Sequence, residues 1–177
     1  MANALRGAES QTLQKQEIYL LKHNLPGDSS PSQRNESIVE DVTNKNELVE
    51  LRPEVEADRP FIFATWLKGL RHGNDYHGSI ESEPYFRHQH SRIEGILNDF
   101  DTTVRISCLK EDPSVILGYC VYKDTTLHWV FVKKAWRKIG LAKDMVPKNI
   151  KTVSHVTKVG QDLLRKQSGI KFNPYLE

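Results

Sequence analysis

Between Leu127 and Ala142 two short runs of opposite character follow one another. Leu127-His128-Trp129-Val130-Phe131-Val132 is apolar, aromatic and β-branched, the composition of a buried strand. Trp136-Arg137-Lys138-Ile139-Gly140-Leu141-Ala142 brings two cations and a glycine, with helix-forming residues after it. A strand that passes through a glycine turn into a helix suits an anion. The first N–H groups of a helix lack intrahelical acceptors, and the aligned peptide dipoles add partial positive charge at that end. Gly140 has no Cβ to hold a phosphate away from the backbone. Arg137 and Lys138 place full charges beside the turn.

The rest of the chain can be read outward from this point. Leu48 to Pro53 has the pattern of a first strand. Ala57 to Leu70, with Pro60 near its start and Phe61, Ile62, Trp66 and Leu70 on one face, reads as a helix. Arg71 to Gly78 is a polar connection, and Pro84 to Phe100 a second helix with Tyr85, Phe86, Ile93, Ile96 and Leu97 facing a core. Three strands follow at Thr102–Leu109, Val115–Tyr122 and Thr126–Val132, separated by Asp112-Pro113 and Lys123-Asp124-Thr125. A third helix starts at Ala142 and stops near Pro147. Thr152–Thr157 is a fifth strand, Val159–Lys166 a last helix and Ile170–Phe172 a final strand. This is an α/β (α+β) chain: a mixed, mostly antiparallel twisted sheet flanked by helices.

Residues 1–44 read differently. Apolar residues make up only 38% of the 177-residue chain, which implies that part of it joins no core. Asn24 to Ser32 is dense in turn formers, and Ile18-Tyr19-Leu20-Leu21 is an apolar island in polar surroundings. The expectation is an extended N-terminal arm over 1–44, flexible or ordered by a partner, ahead of a domain at 45–177. The island would anchor it, either to a second copy of the chain or to another protein. Net charge is +2, so the total exerts no pull on nucleic acid or membranes. No apolar run is long enough to span a bilayer, and the N-terminus lacks a signal-peptide apolar core. Cys108 and Cys120, both inside apolar runs, read as buried free thiols of a reducing compartment.

With its Arg137-x-x-Gly140-x-Ala142 spacing after an aromatic strand, the turn resembles the coenzyme A pyrophosphate loop of the GNAT superfamily of N-acetyltransferases. In that loop Arg or Gln, two residues, Gly, one residue, then Gly or Ala follow the fourth strand. The element order from about Glu47 onward also resembles that superfamily, as does Arg52-Pro53 at the end of the first strand. Residues 48–146, the Tyr85-Phe86 pair and the Asn173-Pro174-Tyr175 ending are similar to acetyltransferase-like proteins of tailed bacteriophages.

The resemblance implies acetyl-CoA as acyl donor and an amine as acceptor. It implies a bulge that splays the fourth and fifth strands and admits pantetheine. Carried over, the pantetheine contacts fall on Phe131 and Val132, and the pyrophosphate contacts on Arg137, Ile139, Gly140, Leu141 and Ala142. Many members use a Glu or a water to deprotonate the amine and a helical Tyr to protonate the leaving thiolate. Here the last helix has no Tyr, and Tyr175 is a substitute further along. His128 and His155, on the fourth and fifth strands, are the residues able to take a proton near neutral pH. The phage resemblance implies an alternative: a non-catalytic structural or interaction protein whose arm binds a neighbouring virion or assembly protein, in the host cytoplasm or in the virion. His88 and His90 lie two apart, about 200° around a helix, so no metal site is expected there.

Overall fold

A computed structural model of the protein describes residues 45–166 and 169–176. The expected arm at 1–44 and its island at Ile18–Leu21 lie outside the described residues. From Leu48 onward the elements form one unit. Their order is β1 (Val49–Pro53), a 3-10 turn at Glu56–Asp58, α1 (Arg59–Gly73), α2 (Asp75–Ser79), α3 (Ser82–Asn98), β2 (Thr103–Leu109), β3 (Ile116–Lys123) and β4 (Thr126–Val132). A second 3-10 turn at Lys134–Trp136 leads to α4 (Leu141–Met145), β5 (Thr152–Val153), α5 (Lys158–Lys166) and β6 (Lys171–Phe172). The six strands lie in sequence order in one sheet. β1 to β4 pair antiparallel, whereas β4–β5 and β5–β6 pair parallel. The mixed, mostly antiparallel sheet and its flanking helices are those expected from the sequence.

α1 and α3 cover one face of the sheet. Ile62, Trp66, Leu67 and Leu70 of α1 and Tyr85, Ile93, Ile96 and Leu97 of α3 join Val104, Ile106, Tyr119, Val121 and Trp129 in the core. Each large apolar side chain so buried contributes roughly 1.5–3 kcal/mol before ordering costs. The Tyr119 hydroxyl ties α1 to β3, 2.9 Å from Thr65 Oγ1 and 3.1 Å from the Ile62 carbonyl that it donates to. Phe86, expected in the core, is partly exposed, because it lies about 100° around the helix from Tyr85.

The other face meets α4. A Cβ on Gly118 would lie 2.6 Å from the Phe131 carbonyl oxygen and 3.1 Å from the Met145 terminal methyl. Only glycine lets β3, β4 and α4 come this close. Cys120 Sγ donates to the Met145 carbonyl at 3.1 Å and the Arg105 guanidinium to the same oxygen at 2.9 Å. Cys108 belongs to the core on the opposite face. Both thiols are buried and free, and the sheet separates them.

Two elements differ from expectation. The polar stretch 71–78 is not a plain connection, since α1 runs on to Gly73 and Asn74 opens α2. Its side chain accepts from the Tyr76 N–H at 3.0 Å and the His77 N–H at 3.5 Å, a cap that supplies orphan donors with an acceptor. The fifth strand is also much shorter than Thr152–Thr157. It pairs with β4 only at Thr126↔Thr152 and Leu127↔Val153, and the Ser154 N–H to Leu127 carbonyl bond at 3.1 Å closes the contact.

Among the described residues no helix is long and apolar enough to cross a membrane.

Candidate functional site

The place where β5 leaves β4 coincides with a bulge. Opposite β3, Val121 pairs with Trp129 but Tyr122 pairs with Leu127, so His128 is the extra residue on β4. A bulge re-aims the strand and increases its twist. Beyond it, Val130 to Val132 keep β3 as neighbour on one side and, among the described residues, have no paired strand on the other.

The ladder decides which backbone groups face that open edge. The Lys133 N–H donates to the Leu117 carbonyl at 2.8 Å, and the register places Phe131 opposite Tyr119. Hydrogen-bonded and non-bonded pairs alternate along an antiparallel ladder. Phe131 therefore directs its N–H and C=O toward β3, while Val130 and Val132 direct theirs toward the open edge. The Phe131 ring packs on the core side, stacked on Tyr119 with centroids 5.6 Å apart. Of the two residues expected to meet pantetheine, Val132 presents its backbone groups to the open edge and Phe131 does not.

From the end of β4 the chain turns sharply. Lys138 has φ 72° and Gly140 φ 90°. Left-handed backbone costs a non-glycine residue about 1–2 kcal/mol, so Lys138 is strained and Gly140 is not. Gly140 caps α4 without a side-chain hydrogen bond. Among the described residues, no hydrogen bond takes the N–H groups of Gly140, Leu141, Ala142 or Lys143; the first that does is Asp144 N–H to the Gly140 carbonyl at 3.1 Å. At five residues α4 is too short for much macrodipole, so the free amides and nearby cations supply the attraction that the sequence assigned partly to the dipole.

A cavity of about 440 Å³ opens at this turn, lined by Val130, Val132, Trp136, Arg137, Lys138, Gly140, Leu141, Ala142 and Lys143. Arg137 Nε donates to the Val132 carbonyl at 3.0 Å, which tethers the guanidinium across the mouth. Of the residues expected to meet a pyrophosphate, Arg137, Gly140, Leu141 and Ala142 line the cavity. Ile139 does not, and Lys143 takes its place, because the two left-handed residues turn the intervening one aside. At the end of β4 the half-buried Lys133 ammonium lies 5.2 Å from the Phe61 ring centre. Burial pushes its pKa down to about 8.

The two histidines proposed as bases sit at the apex where the strands part. Ser154 joins them: its Oγ is 2.8 Å from His128 Nδ1 and 2.9 Å from His155 Nδ1. His128, Ser154 and His155 are 1%, 2% and 6% exposed. The His155 ring meets Trp66 edge-on at 5.3 Å, and among the described residues its Nε2 has no hydrogen-bond partner. Burial, together with the nearby Arg92, His128 and His77, pushes the His155 pKa down to about 3. His155 is therefore neutral at pH 7. Tyr175 does not join this group. It is 89% exposed, although the Arg92 guanidinium holds the neighbouring Pro174 carbonyl.

Sequence reasoning missed Ser154, Val130 and Lys143, which carry no motif signal of their own. It also missed the partner of Arg52. The guanidinium forms a two-pronged bond with Asp58 at 2.6 and 2.9 Å, and the Val55 N–H adds a third bond at 2.9 Å. Burial alone would raise the Asp58 carboxyl, but Arg52 and the Val55 amide hold it below its ordinary value. Among the described residues, no three His, Cys, Asp or Glu side chains are grouped to hold a metal ion.

No protein-family model matches this chain, and no curated protein matches it. Among solved structures it is similar to an aminoglycoside acetyltransferase from an uncultured soil metagenomic sample in complex with trehalose. That match has 16% identity and a TM-score of 0.41, covering 75% of this chain and 93% of the other. A transcriptional regulator from Bacillus halodurans C-125 is similar at 16% identity and a TM-score of 0.38, over 71% of this chain and 81% of its own. Ribosomal-protein-alanine N-acetyltransferase from Brucella melitensis biovar Abortus 2308 is similar at 15% and 0.36, over 70% and 76%. Likeness at this level assigns no activity.

Proposed function

We propose that the chain is an acyl-CoA-dependent N-acyltransferase of GNAT type, which transfers an acetyl group to an amine. The observation that carries this reading is the coincidence of three features on one edge: the His128 bulge, the unpaired stretch Val130–Val132, and a cavity ending in free amides and cations. The residues present fit acetyl-CoA. Amides of Gly140, Leu141, Ala142 and Lys143, with Arg137, Lys138 and Lys143 side chains, suit a diphosphate. The outward backbone groups of Val130 and Val132 suit the amides of a pantetheine arm. Val130, Val132 and Leu141 give the cavity an apolar wall.

When bound, acetyl-CoA supplies a thioester carbon as electrophile. The chain's own residues do the rest. The open edge of β4 orients the arm. The Arg137 guanidinium gives up the Val132 carbonyl to meet a phosphate. At the apex, the buried His155, its pKa pushed down to about 3, is too weak a base to hold the amine proton at neutral pH, so a water takes that proton. No Tyr stands in α5 and Tyr175 is exposed, so protonation of the thiolate falls to water in this reading.

That missing acid favours a second reading, in which the fold is kept for interaction without catalysis and residues 1–44 engage a second copy or an assembly protein. Deleting 1–44 would then abolish assembly and leave a folded domain. Titration calorimetry with acetyl-CoA separates the readings. Saturable binding that is lost in Arg137→Glu supports the acyltransferase. Absence of binding at millimolar acetyl-CoA overturns it.

A further inference from the structure

α4 has five residues and is too short to orient itself. One such turn is about 7.5 Å long, and helices of that length do not form alone in water. Leu141 and Met145, one turn apart on one face, are both buried against the sheet. That burial holds α4 down, but the hydrophobic effect has no direction. It does not stop α4 from rolling about the line that joins the two side chains. A roll would swing Ala142 and Lys143, which line the cavity, toward or away from a bound anion.

A directional contact removes that motion. The Met145 carbonyl lies at the C-terminal end of α4, where carbonyls lack intrahelical donors. It accepts from Arg105 Nη1 at 2.9 Å and from Cys120 Sγ at 3.1 Å. The register explains why these two residues converge. Arg105 pairs with Cys120 across β2 and β3, and Cys120 with Val130 across β3 and β4. Their strand neighbours Ile106, Tyr119 and Trp129 face the core, so this row faces α4. One row of the sheet thus carries the anchor of α4 on β2 and β3 and a wall residue of the cavity, Val130, on β4. The guanidinium is fixed in turn. Its Nη2 donates to Tyr122 Oη at 3.0 Å, and Tyr122 lies two residues along β3 from Cys120, on the same face. A charged donor makes a stronger bond than a thiol, so Arg105 carries most of the restraint.

We propose that Arg105 is a positioning residue for the cavity: from β2, two strands away from the open edge of β4, it fixes the roll of α4 and so the placement of the Gly140–Lys143 amides. It acts through Met145 and is not among the residues that line the cavity. Its effect on acyl-CoA rests on the acyltransferase reading; its hold on α4 does not.

The test compares wild type with Arg105→Gln, Arg105→Lys and Tyr122→Phe. Gln removes both the charge and the fork, whereas Lys keeps the charge and loses the fork. Tyr122→Phe leaves Arg105 and α4 in place and releases the guanidinium, so it reports even where an Arg105 variant fails to fold. In nitrogen–proton NMR of the unliganded proteins, the Gly140–Lys143 amides should shift and lose order, most in Arg105→Gln and least in Tyr122→Phe, with the β1 amides unmoved. Calorimetry with acetyl-CoA should show an affinity loss of about two- to thirtyfold in Arg105→Gln, the range for residues that bias a site without touching its ligand. Across the three variants the loss should follow the displacement of the amides. A lowered Tm with wild-type amides and wild-type affinity would make Arg105 a scaffold residue and overturn the proposal. Lost affinity with wild-type amides would also overturn it, since Arg105 would then act by charge alone. If wild type binds no acetyl-CoA but the amides move in the variants, the acyltransferase reading falls and the hold on α4 stands. If wild type binds it and the variants match wild type in both measurements, the hold falls and the reading stands.

Discussion

Substituting Ala142 and Gly140 in parallel separates charge at the turn from strain in it. Ala142 is exposed, helical and on the cavity wall. Ala142→Glu adds a negative charge without disturbing the backbone, and a surface change of this kind moves stability by about 0.5 kcal/mol or less. Its effect on a bound diphosphate is far larger. Two unit charges 4 Å apart interact by about 1 kcal/mol in water and about 4 kcal/mol at an effective dielectric near 20. At a half-open mouth facing two phosphate charges, repulsion of about 2–3 kcal/mol follows, a loss of about 30- to 150-fold in affinity. Gly140→Ala acts first on the backbone. At φ 90° an alanine costs about 1–2 kcal/mol, which lowers Tm by about 3–6 °C for a domain of this size. It adds no charge, but its Cβ stands where a phosphate would approach the backbone, so acetyl-CoA affinity in the folded fraction should fall, by less than in Ala142→Glu. Calorimetry for binding and scanning calorimetry for Tm read the two variants independently. Wild-type affinity in Ala142→Glu would refute the diphosphate assignment. Wild-type Tm in Gly140→Ala would refute the left-handed turn.

Other expectations concern the scaffold. Asp58→Ala strands the partly buried Arg52 guanidinium and should cost about 3 kcal/mol in urea unfolding; a loss under 1 kcal/mol would show that the pair is ornamental. His155 has its folded pKa lowered to about 3, below the unfolded value of about 6.5. Its contribution to stability is present above that unfolded value and is lost as pH falls toward 3, by up to about 1.4 kcal/mol per unit. Urea midpoints should therefore decline below pH 6.5, and less steeply in His155→Asn. Burial raises the thiol pKa of Cys108, and raises that of Cys120 to about 12, so native-state labelling of either by a thiol reagent should be far slower than that of free cysteine.

Where pattern and physics act locally, the sequence was readable. β2, β3 and β4 were bounded to within a residue or so because alternating β-branched and aromatic runs end in turn formers. The glycine turn was found because Gly140 is forced by its φ. The rest depended on relations between distant residues. Nothing local to Thr152–Thr157 announces that pairing stops after Val153, since the cause is a bulge in another strand. His128 and His155 were each visible as candidate bases, but the Ser154 contact that joins them exists only once β4 and β5 lie side by side. Phe131 was chosen over Val130 because the ladder's phase, set by the β3 register, cannot be read from β4 alone. Asn74 passed as a loop residue because its capping role needs a helix only five residues long.

The most direct measurement is an amide-resolved titration: nitrogen–proton NMR of the folded protein with increasing acetyl-CoA. The expected result is saturable shift changes at Val130, Val132 and Gly140 to Lys143, with β1 and the core strand β2 unmoved. Saturable changes confined to another surface, or none at millimolar acetyl-CoA, would contradict the assignment of this edge as an acyl-CoA site.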